Sequence, residues 1–370
     1  MTTNGPTDHA SAALIRDLLA VLAEGVETWP RERFEGLALR VFRHQYERNA
    51  TYRRFCEGRG RRPDTVTSWT DVPAVPVSAF KALDLACGEA DRAEAVFRTS
   101  GTTGGAESRG RHFVPYLDLY RASLEPPFRS YVVPDVERIR FVSLVPRASD
   151  LPDSSLSFMV TAAAARWASD ASWVVDAEGR LDEEALARAL AEAAEAREPV
   201  LLLGTAFAFV HALDRHPSPL RALPPGSRIM ETGGFKGRSR ELTKDELHTL
   251  LSDRTGVPRA RIVNEYGMTE LLSQLYEPVL VEGAGAAGTH RPPPWLAVRA
   301  LDPVTLDPVT AGEEGLLAFF DLANAGSVSH VLTEDVGSVV DGRVKLVGRL
   351  EGAEPRGCSR AMDELMSAGR

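Results

Sequence analysis

Apolar residues near the start of the chain recur at helical spacing. Leu14, Leu18, Leu19 and Leu22, then Phe34, Leu37, Leu39, Val41 and Phe42, predict helices over 11–57. Asp71-Val-Pro-Ala-Val-Pro-Val then stops them, because proline lacks the amide hydrogen that a helix needs. Further along, short apolar runs at 95–98, 140–145, 199–203, 228–231 and 261–263 read as strands, and the Ala-, Leu- and Glu-rich segment 182–197 as a helix. Thr243-Lys-Asp-Glu246 spells a capping box, and the helix it opens should end at Gly256, ahead of Pro258. Strands alternating with helices predict an α/β fold with a parallel sheet. Beyond Pro292-Pro-Pro294 the texture changes. Segments 296–301, 315–320 and 344–347, separated by Gly and Asp turns, predict a small antiparallel β unit.

Composition narrows the class without naming it. Of 370 residues, 44% are hydrophobic and 26% charged, a globular balance that excludes a disordered or fibrous chain. The net charge of −9 argues against a protein built to grip nucleic acid or an anionic membrane. Cys56, Cys87 and Cys358 are too few and too scattered for a disulfide framework or a zinc cluster, and they fit a reducing cytoplasm. Arg16 and Asp17 interrupt any signal-peptide core, and the apolar stretch 199–213 is shorter than the ~20 residues of a membrane span.

Two motifs carry candidate chemistry. In Phe97-Arg98-Thr99-Ser100-Gly101-Thr102-Thr103-Gly104-Gly105 the glycines let successive amides converge on an anion, and the hydroxyls add donors. A plain turn is the competing reading. Asn264-Glu265-Tyr266-Gly267-Met268-Thr269-Glu270 follows a predicted strand, where α/β sheets present ligands. There an aromatic ring can stack on a base, and a Glu can hold a hard divalent cation; a strand-end turn with a half-buried Tyr reads equally well. Glu231-Thr-Gly233-Gly234-Phe-Lys236, Thr333-Glu-Asp335-Val-Gly337 and Gly348-Arg349 are each common surface turns when taken alone.

In this order, however, the motifs resemble the adenylate-forming superfamily, and more narrowly its acyl-protein synthetase (LuxE-like) family. Gly204-Thr-Ala-Phe-Ala-Phe209, Glu231 to Glu241, Asn264 to Tyr276 and Gly348 to Ser359 carry the narrower match. So do Tyr46-Glu-Arg-Asn-Ala-Thr-Tyr-Arg53 and Val75-Pro-Val-Ser-Ala-Phe-Lys81, which phenylacetate-CoA ligases share. The resemblance implies the large domain of the adenylate-forming fold without its small C-terminal domain. Its expected parts are an N-terminal helical segment (1–94), an α/β core binding nucleotide and acyl group (95–290), and a β subdomain with a C-terminal segment (291–370). It implies an ATP- and Mg²⁺-dependent ligase that turns a carboxylic acid, by family default a fatty acid, into an acyl-adenylate.

The roles it implies are specific. Thr99, Ser100, Gly101, Thr102, Thr103 and Gly104 hold the ATP phosphates; Gly233 and Gly234 line the adenine, on which Tyr266 stacks. Glu265, Gly267 and Met268 complete that motif. Thr269 meets the α-phosphate, Glu270 binds Mg²⁺, and Asp335 takes the ribose hydroxyls with Arg349. Cys358 accepts the acyl group as a thioester, with Arg356 or Arg360 lowering its pKa, and passes it to an acceptor protein, a reductase or carrier. The alternative is direct transfer to a carrier-protein thiol, CoA or an amine.

Two departures qualify the match. The usual Pro-Lys after the Gly-rich loop is missing, which leaves Arg109 or Arg111 as its replacement. Only 21 residues follow Arg349, so the small domain's catalytic lysine is expected to be absent, with Lys236, Lys345 or a partner protein in its place.

Overall fold

The computed structural model describes residues 6–99, 109–215, 222–233, 242–350 and 356–369. Its strands in chain order are β1 (Val75–Pro76), β2 (Ala95–Arg98), β3 (Arg111–Val114), β4 (Ile139–Ser143), β5 (Ala168–Trp173), β6 (Val200–Thr205) and β7 (Arg228–Thr232). These are followed by β8 (Ile262–Tyr266), β9 (Leu275–Tyr276), β10 (Leu296–Leu301), β11 (Gly315–Asp321), β12 (His330–Val340) and β13 (Arg343–Arg349). The chain divides into two compact units that interleave in sequence. One is Pro127–Gly267 with Leu275–His290; the other is Met1–Pro126, Met268–Gln274 and Arg291–Arg370.

The first of these is an α/β unit built on a sheet of order β5-β4-β6-β7-β8-β9, parallel except for β9. From β4 the chain adds β5 on one side, then β6, β7 and β8 on the other, the winding reversal of a doubly wound sheet. The inner strands β4, β6, β7 and β8 are buried on both faces and read as largely apolar runs, whereas the edge strand β5 is partly exposed. On one face Val142, Leu202, Ile229 and Ile262 meet Leu186, Phe209, Leu213 and Leu247 from the crossover helices. Aromatic packing adds Phe128, stacked on Trp167 at 5.2 Å. The helix Lys244–Thr255 carries the capping box expected of Thr243 and Glu246 and ends at Gly256 in the left-handed region.

The β-rich unit has the order β1-β12-β11-β10, with β13 also paired to β12. Antiparallel pairing is as the sequence pattern predicted, but β12 is longer than any turn-punctuated reading allowed. Thr333 to Gly337, which read as a turn, lies inside this strand. A register irregularity between Val336 and Gly337 explains the misleading glycine: a Cβ there would meet the Lys345 carbonyl oxygen at 2.5 Å. The Pro-rich stretch supplies β1, which pairs parallel with β12 at Val331 and Leu332. Trp69 centres an aromatic cluster, with Phe34 and Phe320 each at 5.8 Å and His330 at 5.7 Å. Among the described residues no helix is long and apolar enough to cross a membrane.

Candidate active site

In the α/β unit, β7 and β8 end side by side, and their register sets Glu231 beside Asn264 and Thr232 beside Glu265. Glu231 is buried, and its Oε1 accepts from His248 Nε2 at 2.9 Å and Asn264 Nδ2 at 2.5 Å. Because the Asn264 amide nitrogen donates to Glu231, its Oδ1 accepts a hydrogen bond from His290 Nε2 at 2.6 Å. Thr232 Oγ1 donates to Glu265. Burial pushes the Glu265 carboxyl up to about 7; the Thr232 bond opposes this, and the neighbouring Glu231 charge adds to it. Behind this row, Lys244, the first residue of the capped helix, pairs with the fully buried Glu277, which also accepts from Gly288 N–H at 2.7 Å. Gly233 closes β7 with φ +74°, a conformation that glycine adopts without strain. Tyr266 is half-buried at the end of β8, and Gly267 is exposed.

The same motif continues as Met268–Gln274, which belongs to the β-rich unit and is fastened there by buried polar groups. His112, on β3, has Nδ1 2.7 Å from the Thr269 carbonyl oxygen and Nε2 2.8 Å from Asn324 Oδ1. The Asn324 amide donates to the carbonyls of Glu270 and Val328, both at 2.9 Å. Burial lowers the His112 pKa, and its two hydrogen-bond acceptors oppose that shift. Asp321, at the end of β11, accepts from Leu272 N–H at 2.9 Å, Ser273 Oγ at 2.7 Å and Ala323 N–H at 3.0 Å. Burial raises its carboxyl to about 6 against those three bonds. Trp295 Nε1 donates to Ser273 Oγ at 3.1 Å, and Ser123 Oγ donates to the Leu272 carbonyl. Thr269 and Glu270 therefore project from a backbone gripped on several sides. Glu270 is buried, with 6% of its surface exposed.

Asp335 and Arg349 face each other across β12 and β13, with Arg349 Nε donating to Asp335 Oδ1 at 3.2 Å. Thr99 lies at the stem of the β2–β3 hairpin. Its Oγ1 accepts from Gly110 N–H at 2.8 Å, and its carbonyl accepts from Arg109 Nε at 2.6 Å. Arg111 pairs with Asp84 at 2.6 Å. Ser100, Gly101, Thr102, Thr103, Gly104, Gly234 and Lys236 lie outside the described residues.

Cys358 sits in the helix Arg356–Gly369, 2% exposed, among Leu301, Leu316, Ala318 and Leu332. Its Sγ is 4.0 Å from the Thr333 carbonyl oxygen. Arg356 is exposed, and Arg360 reaches the Thr305 carbonyl at 3.4 Å. Burial pushes the other two thiols, Cys56 and Cys87, up to about 12. Sequence reading missed His112, Asn324, Asp321, His248 and Lys244. Only Lys244, inside the capping box, stood next to a legible signal.

Residues 28–367 match the family model for the acyl-protein synthetase, LuxE. The chain belongs to the acyl-protein synthetase family. It is 24% identical over 346 residues to the long-chain-fatty-acid–luciferin-component ligase of Aliivibrio fischeri, covering 89% of this chain and 88% of that protein. With the same-named ligase of Vibrio harveyi it shares 25% identity over 344 residues, covering 89% and 86%. Among solved structures, 2-hydroxyisobutyryl-CoA ligase in its postadenylation state, in complex with R3-HIB-AMP, superposes with a TM-score of 0.63 at 15% identity, over 88% of this chain and 69% of that one. ATP-bound MatB from Rhodopseudomonas palustris gives 0.50 at 17% identity; 78% of this chain matches 53% of it, so this chain spans about half of MatB's length. The structural likeness is one of fold, that of the N-terminal domain of adenylate-forming ligases. Family membership makes the chain an ATP-dependent ligase of the acyl-adenylate-forming class.

Proposed function

We propose that this chain activates a fatty acid with ATP as an acyl-adenylate, transfers the acyl group to Cys358, and passes it on to an acceptor protein. The names of the Aliivibrio and Vibrio relatives support the acid class. In this reading the Thr99–Gly104 loop cradles the phosphates, and Arg109 and Arg111 at its stem supply positive charge. Gly233, Gly234 and Tyr266 flank the adenine, with Glu265, Gly267 and Met268 shaping the turn. Asp335 and Arg349 take the ribose, and the Thr269 hydroxyl donates to the α-phosphate. Glu270 offers a hard carboxylate oxygen suited to Mg²⁺, which when bound neutralises phosphate charge.

A substrate carboxylate oxygen attacks the α-phosphorus, the bond to the β-phosphate oxygen breaks, and pyrophosphate leaves. The Cys358 thiolate then attacks the acyl carbonyl and AMP departs, leaving a thioester for the acceptor's nucleophile. What the residues contribute is alignment of two anions and fixed dipoles where charge develops. The observation that carries this reading is the fastened Thr269–Glu270 peptide. A surface turn needs no such set of buried hydrogen bonds, whereas a group that must meet a phosphate does.

Incubation with ATP, Mg²⁺ and a panel of fatty and aryl acids tests it, followed through pyrophosphate release and intact mass. A long-chain acid should give pyrophosphate and an acyl adduct that Cys358→Ala abolishes; no pyrophosphate with any acid would overturn the reading. The burial of Cys358 favours a second reading, in which the adenylate passes directly to a carrier-protein thiol, CoA or an amine. Pyrophosphate release without an adduct would select it.

A further inference from the structure

The β-rich unit contains a cavity of ≈ 510 Å³ lined by none of the residues assigned to the nucleotide. Four guanidiniums surround it, those of Arg59, Arg61, Arg299 and Arg360. Two are balanced by carboxylates: Arg59 Nε lies 2.6 Å from Glu364 Oε2, and Arg61 Nη2 lies 3.8 Å from Asp71 Oδ1. The other two form no salt bridge among the described residues. Arg360 reaches only a carbonyl, Thr305 O, and Arg299 lies over the Trp69 ring, 5.6 Å from its centroid. Stacking uses the flat face of a guanidinium and leaves its in-plane N–H groups to find acceptors. The Arg299 Nε is walled off from solvent and has no acceptor, which leaves this guanidinium under-satisfied.

The lining also has an apolar part. Leu301, Leu306 and Leu332 line the cavity and also pack around Cys358. The cavity thus brings four guanidiniums and two carboxylates, Asp71 and Glu364, together with leucines of the cluster that holds Cys358. Asp71 also acts electrostatically on Arg299, and Arg299 and Arg360 form no salt bridge among the described residues. Its volume lies within the range of small-molecule sites.

We infer that this cavity is a second ligand site, for a small amphipathic oxyanion: a carboxylate or phosphate head gripped by Arg299 and Arg360, with a short apolar body on the leucines beside Cys358. The site is independent of the nucleotide motifs, so it stands or falls apart from the adenylation reading.

Calorimetric titration of the full chain, without ATP, tests this with octanoate, octyl phosphate and inorganic phosphate. Both octyl probes should bind, and inorganic phosphate alone should bind at least about tenfold more weakly, since it lacks the apolar body. The stronger octyl probe identifies the preferred head group. Arg299→Gln and Arg360→Gln should each weaken binding by about tenfold or more. Arg360 is exposed, so its variant keeps the fold, and Arg299→Lys provides a charge-retaining control. Absence of binding by every probe, or binding unchanged in both Gln variants, would overturn the inference. Pyrophosphate release plays no part in the titration, so failure here leaves the adenylation reading intact.

Discussion

Met268–Gln274 and the helix Arg356–Gly369 belong to the same β-rich unit and are held by opposite means. The first is fixed by directed bonds: His112 and Asn324 on the Thr269 and Glu270 carbonyls, and Asp321 on Leu272 and Ser273. Around Cys358 itself the packing is mainly apolar, with a long sulfur–carbonyl approach of 4.0 Å. The helix adds directed contacts at its margins, the Arg59–Glu364 ion pair at 2.6 Å and the Gly357 N–H on the Pro303 carbonyl at 3.1 Å. Directed hydrogen bonds define a geometry to tenths of an ångström and leave costly orphans if broken. Apolar packing is non-directional, and a short helix resting on it can lift and reseat. Under the function proposed above, Met268–Gln274 is a preorganised segment for adenylation, and the Cys358 thiol must be uncovered before it can accept an acyl group.

The largest expected effect comes from removing the fixed side of this comparison. Asn324→Ala orphans the His112 ring nitrogen and releases the Glu270 carbonyl. Pyrophosphate release should fall by roughly 100-fold, because misplacement of about 1 Å is enough for a loss of that size. The intact mass assay should show adduct formation falling in parallel. Retention of full pyrophosphate release in a folded Asn324→Ala protein would show that the grip is structural only.

A smaller effect follows from Asp321, whose carboxyl is raised to about 6 from its ordinary 3.8. A raised acid binds its proton more tightly when folded, so the stability it contributes is fully present below about pH 4 and lost as pH rises through 6. Asp321→Asn lacks this titration. Relative to the variant, the native chain should lose about 2 kcal/mol of stability between pH 4 and pH 7. Denaturant unfolding of both proteins at the two pH values measures it, and a pH-independent difference would refute the assignment.

How far the sequence went depended on whether a signal was local. The Thr243–Glu246 capping box and its stop at Gly256 were legible because all of their bonds lie within one helix. The parallel strands β4, β6, β7 and β8 were legible from their apolar runs, whereas β5, Ala168-Ser-Asp-Ala-Ser-Trp173 with Ser169 and Asp170 exposed, was not. The helix Leu117–Tyr131 was not, since Pro126 and Pro127 break its pattern from inside. Asp335 read as part of a turn because the glycine beside it serves a bulge within a long strand. The groups that grip Thr269 and Glu270 come from distant positions: His112 is 157 residues from Thr269, and Asn324 lies 54 beyond Glu270. A lone buried His or Asn carries no pattern until the fold brings its partners to it.

Native-state hydrogen exchange tests the contrast most directly. The Leu272 amide, bonded to Asp321, should exchange only with global unfolding, while the amides of 356–369 should exchange at least about tenfold faster through local opening. Equal protection of the two segments would contradict the proposed transfer through Cys358, because a thiol acting in it would then have no route to the acyl group short of unfolding the unit.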